Sequence, residues 1–138
     1  MISLNMQQQK FCVHKYLTVC KTNPQPPGFG DFVRGTIAMF NFSQKYNYSL
    51  LIDKTHPLFH YLENNEFLTI TNDETFELLP PYSYDFIYLS LHNLFIEGNN
   101  FTIMTNSFYT IENSRLQNFG AISSECRLFL QKLFTPNR

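Results

Sequence analysis

The residues best suited to chemistry lie in one stretch, Pro26-Pro-Gly-Phe-Gly-Asp-Phe-Val-Arg-Gly35. Two glycines stand one residue apart, followed at once by an acid and, one helical turn later, by a base. Backbone N–H groups at the start of a helix point outward, so a loop leading into one can receive an anion or another polar group. In that role Gly28, Phe29 and Gly30 allow a tight turn and close backbone approach. Arg34 and the exposed N–H groups hold the polar group, and Asp31 stands beside a ligand hydroxyl. A plain structural role suits the same residues equally: the glycines turn the chain, Asp31 caps the helix, and Arg34 pairs with Asp31 or with solvent.

Two phosphate-binding fingerprints can be tested against the stretch, and both fail. The dinucleotide pattern needs a third glycine where Val33 stands, and the next glycine is Gly35. The P-loop pattern has Gly30 and Gly35 at the right spacing but puts Thr36 where a lysine is needed. Asp53 lies about twenty residues beyond the loop, where the acid of a dinucleotide fold meets a ribose. It is also placed to cap the turn at Lys54-Thr-His56 as a strand-end residue. His56 and His60 are four apart and share a face if helical, yet no third ligand is near them, so no metal site is expected. Cys12, Cys20 and Cys126 are odd in number and lack CxxC spacing, which fits reduced, buried thiols. His14 and His92 stand alone.

These residues need elements to position them. Tyr16–Lys21 is apolar and β-branched and is expected as the first strand, after a flexible segment 1–10. Prolines at 24, 26 and 27 then exclude helix and central strand. Phe32, Val33, Ile37, Ala38 and Phe40 repeat at helical spacing, so a helix is expected from Asp31 to about Tyr46. Tyr48–Asp53 is apolar throughout, in the manner of a strand covered on both faces. Strand, loop, helix and strand make a βαβ unit. Beyond it the pattern predicts a short helix at His56–Leu62 with Pro57 first, and a short strand at Phe67–Ile70. Ser83–Ile96 has helical spacing but an aromatic content that also allows a strand; a buried strand is expected over Phe101–Asn106, and a last helix capped by Ser123 or Ser124. The fold class is therefore α/β: one Rossmann-like, three-layer half-domain over residues 11–138 with a mostly parallel sheet. In such sheets the ligand lies at the carboxyl ends of the strands. Gly28–Gly35, Asp53–Pro57 and the residues after Asn106 should converge there.

The segment Pro27–Gly35, followed by a helix and by Leu-Leu-Ile-Asp53, resembles the opening of fucosyltransferase-like glycosyltransferases of the GT-B fold. Among its members, the resemblance is to the nodulation fucosyltransferases and related proteins of large DNA viruses. The tail Cys126-Arg-Leu-Phe-Leu-Gln-Lys-Leu-Phe-Thr-Pro136 is similar to the closing helix of that family's N-terminal domain. The resemblance implies an acceptor-side domain whose glycine loop faces a cleft, with Asp31 near the acceptor and a candidate for the catalytic base. It implies no cofactor within this chain. The GDP-sugar donor is expected in a second Rossmann domain, because the family's His-x-Arg motif is missing here. The implied partners are a glycan or other sugar acceptor, and a second domain or another copy of the chain. The alternative is a non-catalytic binding or interaction module that uses the GFGDFVRG loop for a small anion or a partner.

Composition sets the outer bounds. The chain has 138 residues, 43% of them hydrophobic and 17% aromatic, which is enough for one packed core and incompatible with disorder. A net charge of -1 gives no basic footprint for nucleic acid. No apolar run approaches the roughly 20 residues needed to cross a bilayer. No apolar leader precedes the first strand, so the expected location is the cytoplasm, or that of an infected host cell if the viral resemblance holds.

Overall fold

The computed structural model describes residues 9–21, 27–79, 82–106 and 122–137. Five strands form one sheet: β1 (Phe11–Lys15), β2 (Ser49–Asp53), β3 (Leu68–Thr69), β4 (Thr75–Leu78) and β5 (Phe101–Thr105). All neighbours pair in parallel, in the order β3-β2-β1-β5-β4. Three α-helices are present among the described residues: α1 (Phe29–Tyr46), α2 (Tyr84–Glu97) and α3 (Ser124–Leu133). The fold is thus α/β and Rossmann-like, as the periodicities require.

Local chemistry explains most boundaries. Ser83 and Ser123 cap α2 and α3 by accepting the N–H groups of Phe86 and Cys126. Asn47 and Gly98 end α1 and α2 in the left-handed region, at φ 60° and φ 81°. His56 caps a short 3-10 helix over Pro57–Tyr61, with Pro57 at its start. Two expectations need correction. The first strand is Phe11–Lys15, and 16–21 leaves the sheet, reaching β4 where Lys21 N–H donates to Glu77 Oε1 at 2.7 Å. β4 itself was not foreseen. It is an edge strand of four residues that carries Glu77 in its middle.

The crossovers β1–α1–β2 and β4–α2–β5 step the same way across the sheet, so right-handed connections put both helices on one face. Cys12 and His14 point from β1 toward Ser43 and Thr36 of α1, and their register partners Phe101 and Ile103 share that face. There Phe95 of α2 packs on Phe42 and Phe101, with ring centroids 5.5 and 5.0 Å apart. On the other flank of α1, Phe129 of α3 meets Phe40 and Phe67 at 5.2 and 4.8 Å. The connection from β3 to β4 steps the opposite way and runs over the other face as an extended strap, residues 70–74. Among the described residues that strap lies on the second face, where Thr71 meets Asp53 and Thr102.

Candidate functional site

The helix that carries the glycine motif starts at Phe29, with Gly28 as an extended N-cap (φ -73°, ψ 174°) that offers no side chain to cap it. Neither Gly28 nor Gly30 is required by the protein's own packing, since a Cβ built on either meets nothing within 4 Å. Gly35 is different. A Cβ there would lie 1.8 Å from Thr105 O and 2.9 Å from His14 Cε1. Gly35 thus lets α1 approach β5, the packing task of the third glycine in dinucleotide folds, two residues later in the chain. Asp31 stands in the first turn and pairs with Arg34 one turn on, 3.9 Å away across an exposed surface.

At the carboxyl end of β1 the chain turns at Tyr16, whose ring stacks between Phe32 and His56 with centroids 4.6 and 4.1 Å away. Phe32 stacks in turn on His14 at 4.6 Å, giving a column of four rings from the core to the rim. Phe29 is 45% exposed and lies 6.5 Å from Tyr16. Burial, and then the nearby Asp31 carboxylate, raise the Tyr16 phenol above its usual value. The glycine loop and the chain after β2 therefore do converge, with Tyr16 between them. The residues expected from the third side, 107–121, lie outside the described residues.

Asp53 is fully buried and turned inward. One carboxylate oxygen accepts the Thr55 N–H and hydroxyl, and the other accepts the Thr71 N–H at 2.9 Å. These bonds tie β2 to its own turn and to the strap. His56 Nδ1 accepts the Leu58 N–H at 3.0 Å, and burial lowers its pKa. His56 is the extended N-cap of the 3-10 helix while His60 lies inside it, so the two do not occupy one face of a continuous α-helix. Among the described residues no three His, Cys, Asp or Glu side chains gather to hold a metal ion.

No family model matches the chain, and no curated protein or solved structure matches it. The family resemblance rests on its motif residues alone.

Sequence reasoning passed over His14. It is fully buried, with Nδ1 2.9 Å from Thr36 Oγ1 and Nε2 3.1 Å from Thr105 O, so both ring nitrogens are partnered. Burial drives its pKa from 6.5 to about 3, which keeps the ring neutral. No local signal marked it, because His14 lies outside the stretch read as the first strand and its neighbour Val13 is buried as well. Burial also pushes the Cys12 thiol up to about 12 and that of Cys126 to about 11, so neither is a nucleophile near neutral pH. Among the described residues no helix is long and apolar enough to cross a membrane.

Proposed function

We propose that this chain is the acceptor-side domain of a fucosyltransferase-like glycosyltransferase, and that its carboxyl edge binds the sugar acceptor beside Gly28, Phe29, Gly30 and Asp31. The observation that carries this reading is the half-exposed Phe29 ring beside Tyr16, whose phenol in turn feels the Asp31 carboxylate. An apolar ring face suits the C–H face of a sugar, and a carboxylate accepts two hydroxyl hydrogen bonds. The acid in the first turn of α1 opposes a phosphate at the same N-terminus, which favours a neutral polyol there. Asp31 would take the proton from the acceptor hydroxyl, with Arg34 supporting the loop. The GDP-sugar donor would be held by a second Rossmann domain or subunit, and the working compartment would be the cytoplasm.

The alternative, a non-catalytic module that binds a small anion, draws on the uncapped start of α1 and on Arg34. Thermal unfolding separates the two, because a ligand that binds the native state raises the melting temperature by mass action. Neutral oligosaccharides should raise it in the parent chain and not in Asp31→Asn, while GDP, GDP-fucose and UDP-sugars leave it unmoved. A shift with inorganic phosphate that is lost in Arg34→Gln would instead favour the anion-binding module. A shift with GDP alone would place a nucleotide site in this domain and count against an acceptor role.

A further inference from the structure

The face chosen by each returning chain decides where the carboxyl edge of a parallel sheet opens. After β1 and β4 the chain returns over the helical face, through α1 and α2. The return after β2 also lies there, with Phe59 packing edge-on against Phe32 of α1 at 6.3 Å. The return after β3 takes the other face. Its Thr71 N–H donates to Asp53, and Thr71 Oγ1 lies 3.5 Å from Thr102 Oγ1, on a residue that points away from α1. β2 and β3 are neighbours, so their outgoing chains part between them. Ligands of open α/β sheets bind in the crevice outside two such strands.

A cavity of about 430 Å³ lies at that crevice. Lys54 and Thr55 enter it directly from β2, Ile70 directly from β3, and His60 and Asn64 from the chain between them. Phe59, Leu62 and Leu68 supply apolar walls. The volume falls within the roughly 300–1,000 Å³ of small-molecule sites. Lys54 Nζ is held 3.4 Å from Asn64 Oδ1, and among the described residues no carboxylate lies within 4.0 Å of it. The adjoining acid, Asp53, has both oxygens committed to Thr55 and Thr71. The lining therefore offers an ammonium group, the Asn64 side-chain amide and an apolar floor, with no acid among them.

We infer that this cavity binds a small organic anion, a carboxylate or phosphate monoester whose apolar body lies over Phe59 and Leu68 and whose charge meets Lys54. The site is separate from the glycine loop and stands whether or not the chain serves a glycosyltransferase.

The test is a titration of the full ¹⁵N-labelled chain with benzoate, with phenyl phosphate, and with benzyl alcohol as the neutral control. Either anion should move the amide signals of Lys54, Thr55, His60 and Asn64 and leave those of Gly28–Arg34 in place. The anion that binds more tightly identifies the head group. Lys54→Gln should weaken binding about tenfold or more, since it removes a charge-assisted contact. Ile70→Glu should do the same by adding a negative charge at the rim, and Ile70 is 61% exposed, so the melting temperature should hold. The inference fails if benzyl alcohol binds as well as the anions, or if affinity survives in both variants. It fails equally if neither anion moves the cavity signals, or if the shifts fall on Gly28–Arg34 instead.

Discussion

A histidine sealed between a helix and two strands stays neutral, because charging it would strand a cation away from water. His14 is held at about 3 in the folded chain against 6.5 for the free group, by burial. Between those values unfolding takes up a proton. The stability tied to His14 is therefore complete above about pH 6.5 and is lost as pH falls toward 3, at up to about 1.4 kcal/mol per pH unit. His56, also lowered by burial, acts in the same direction. Urea unfolding between pH of about 7 and about 5 isolates the effect, because most carboxylates remain ionised there in both states. The parent chain should lose about 2 kcal/mol more than His14→Gln over that window. Equal losses would mean that His14 titrates normally in the folded protein. The partner Thr36 gives a second measure: Thr36→Val leaves the buried Nδ1 without its hydroxyl and should cost about 1–3 kcal/mol, whereas Thr36→Ser keeps the bond and should cost less. The same unfolding curves, recorded near neutral pH, decide it.

At the scale of an element, α1 is positioned by one glycine of its motif and indifferent to another. Gly35→Ala drives a methyl group into the Thr105 carbonyl and should destabilise by about 3 kcal/mol, despite the better helix propensity of alanine. Gly30→Ala meets open space in the first turn and should stabilise by up to about 1 kcal/mol. Opposite signs for two identical substitutions at Gly30 and Gly35, on one helix, would be a direct readout of helix–sheet approach, and matching signs would refute it. The strap responds to Asp53 in the same way. Asp53→Ala removes the acceptor for the Thr71 and Thr55 N–H groups, and hydrogen exchange at both amides should accelerate in it. Unchanged protection would show that the strap is held by other contacts. Periodicity made most of these elements legible, because apolar spacing and the serine caps are local signals. It failed at the first strand. Tyr16-Leu-Thr-Val carries the higher β propensity, but the sheet uses Phe11–Lys15, where a buried histidine reads as polar. It failed again at β4, whose short edge alternates around Glu77. The site was half legible. The loop residues were visible in composition, but the crevice between β2 and β3 depends on which face each return takes, and that is a property of topology rather than of any one segment.

Among the described residues two βαβ units, β1–α1–β2 and β4–α2–β5, join along the pairing of β1 with β5, with β3 added at the β2 edge and α3 packed beside α1. Within each unit the paired strands are separated only by a loop or two and a helix. At the seam Cys12 pairs with Phe101, and about two-thirds of the chain lies between them, so that stretch must be ordered, or closed as one long loop, before the contact forms. Closing a longer loop costs more conformational entropy, and parallel pairings distant in sequence are slow to form for that reason. The units should therefore take shape first and the seam last, with the His14–Thr105 contact and the approach of Gly35 to Thr105 absent from the folding transition state. Two substitutions probe this. Ile52→Val trims a fully buried contact inside the first unit and should cost about 1 kcal/mol, mostly as slower refolding. Gly35→Ala strains chiefly the seam, at the Thr105 carbonyl, with a lesser contact on His14 inside the first unit, so most of its larger loss should appear as faster unfolding. Stopped-flow refolding and unfolding in urea measure both arms. If Gly35→Ala instead slows refolding and leaves unfolding unchanged, the seam is part of the nucleus and the two units do not form ahead of it.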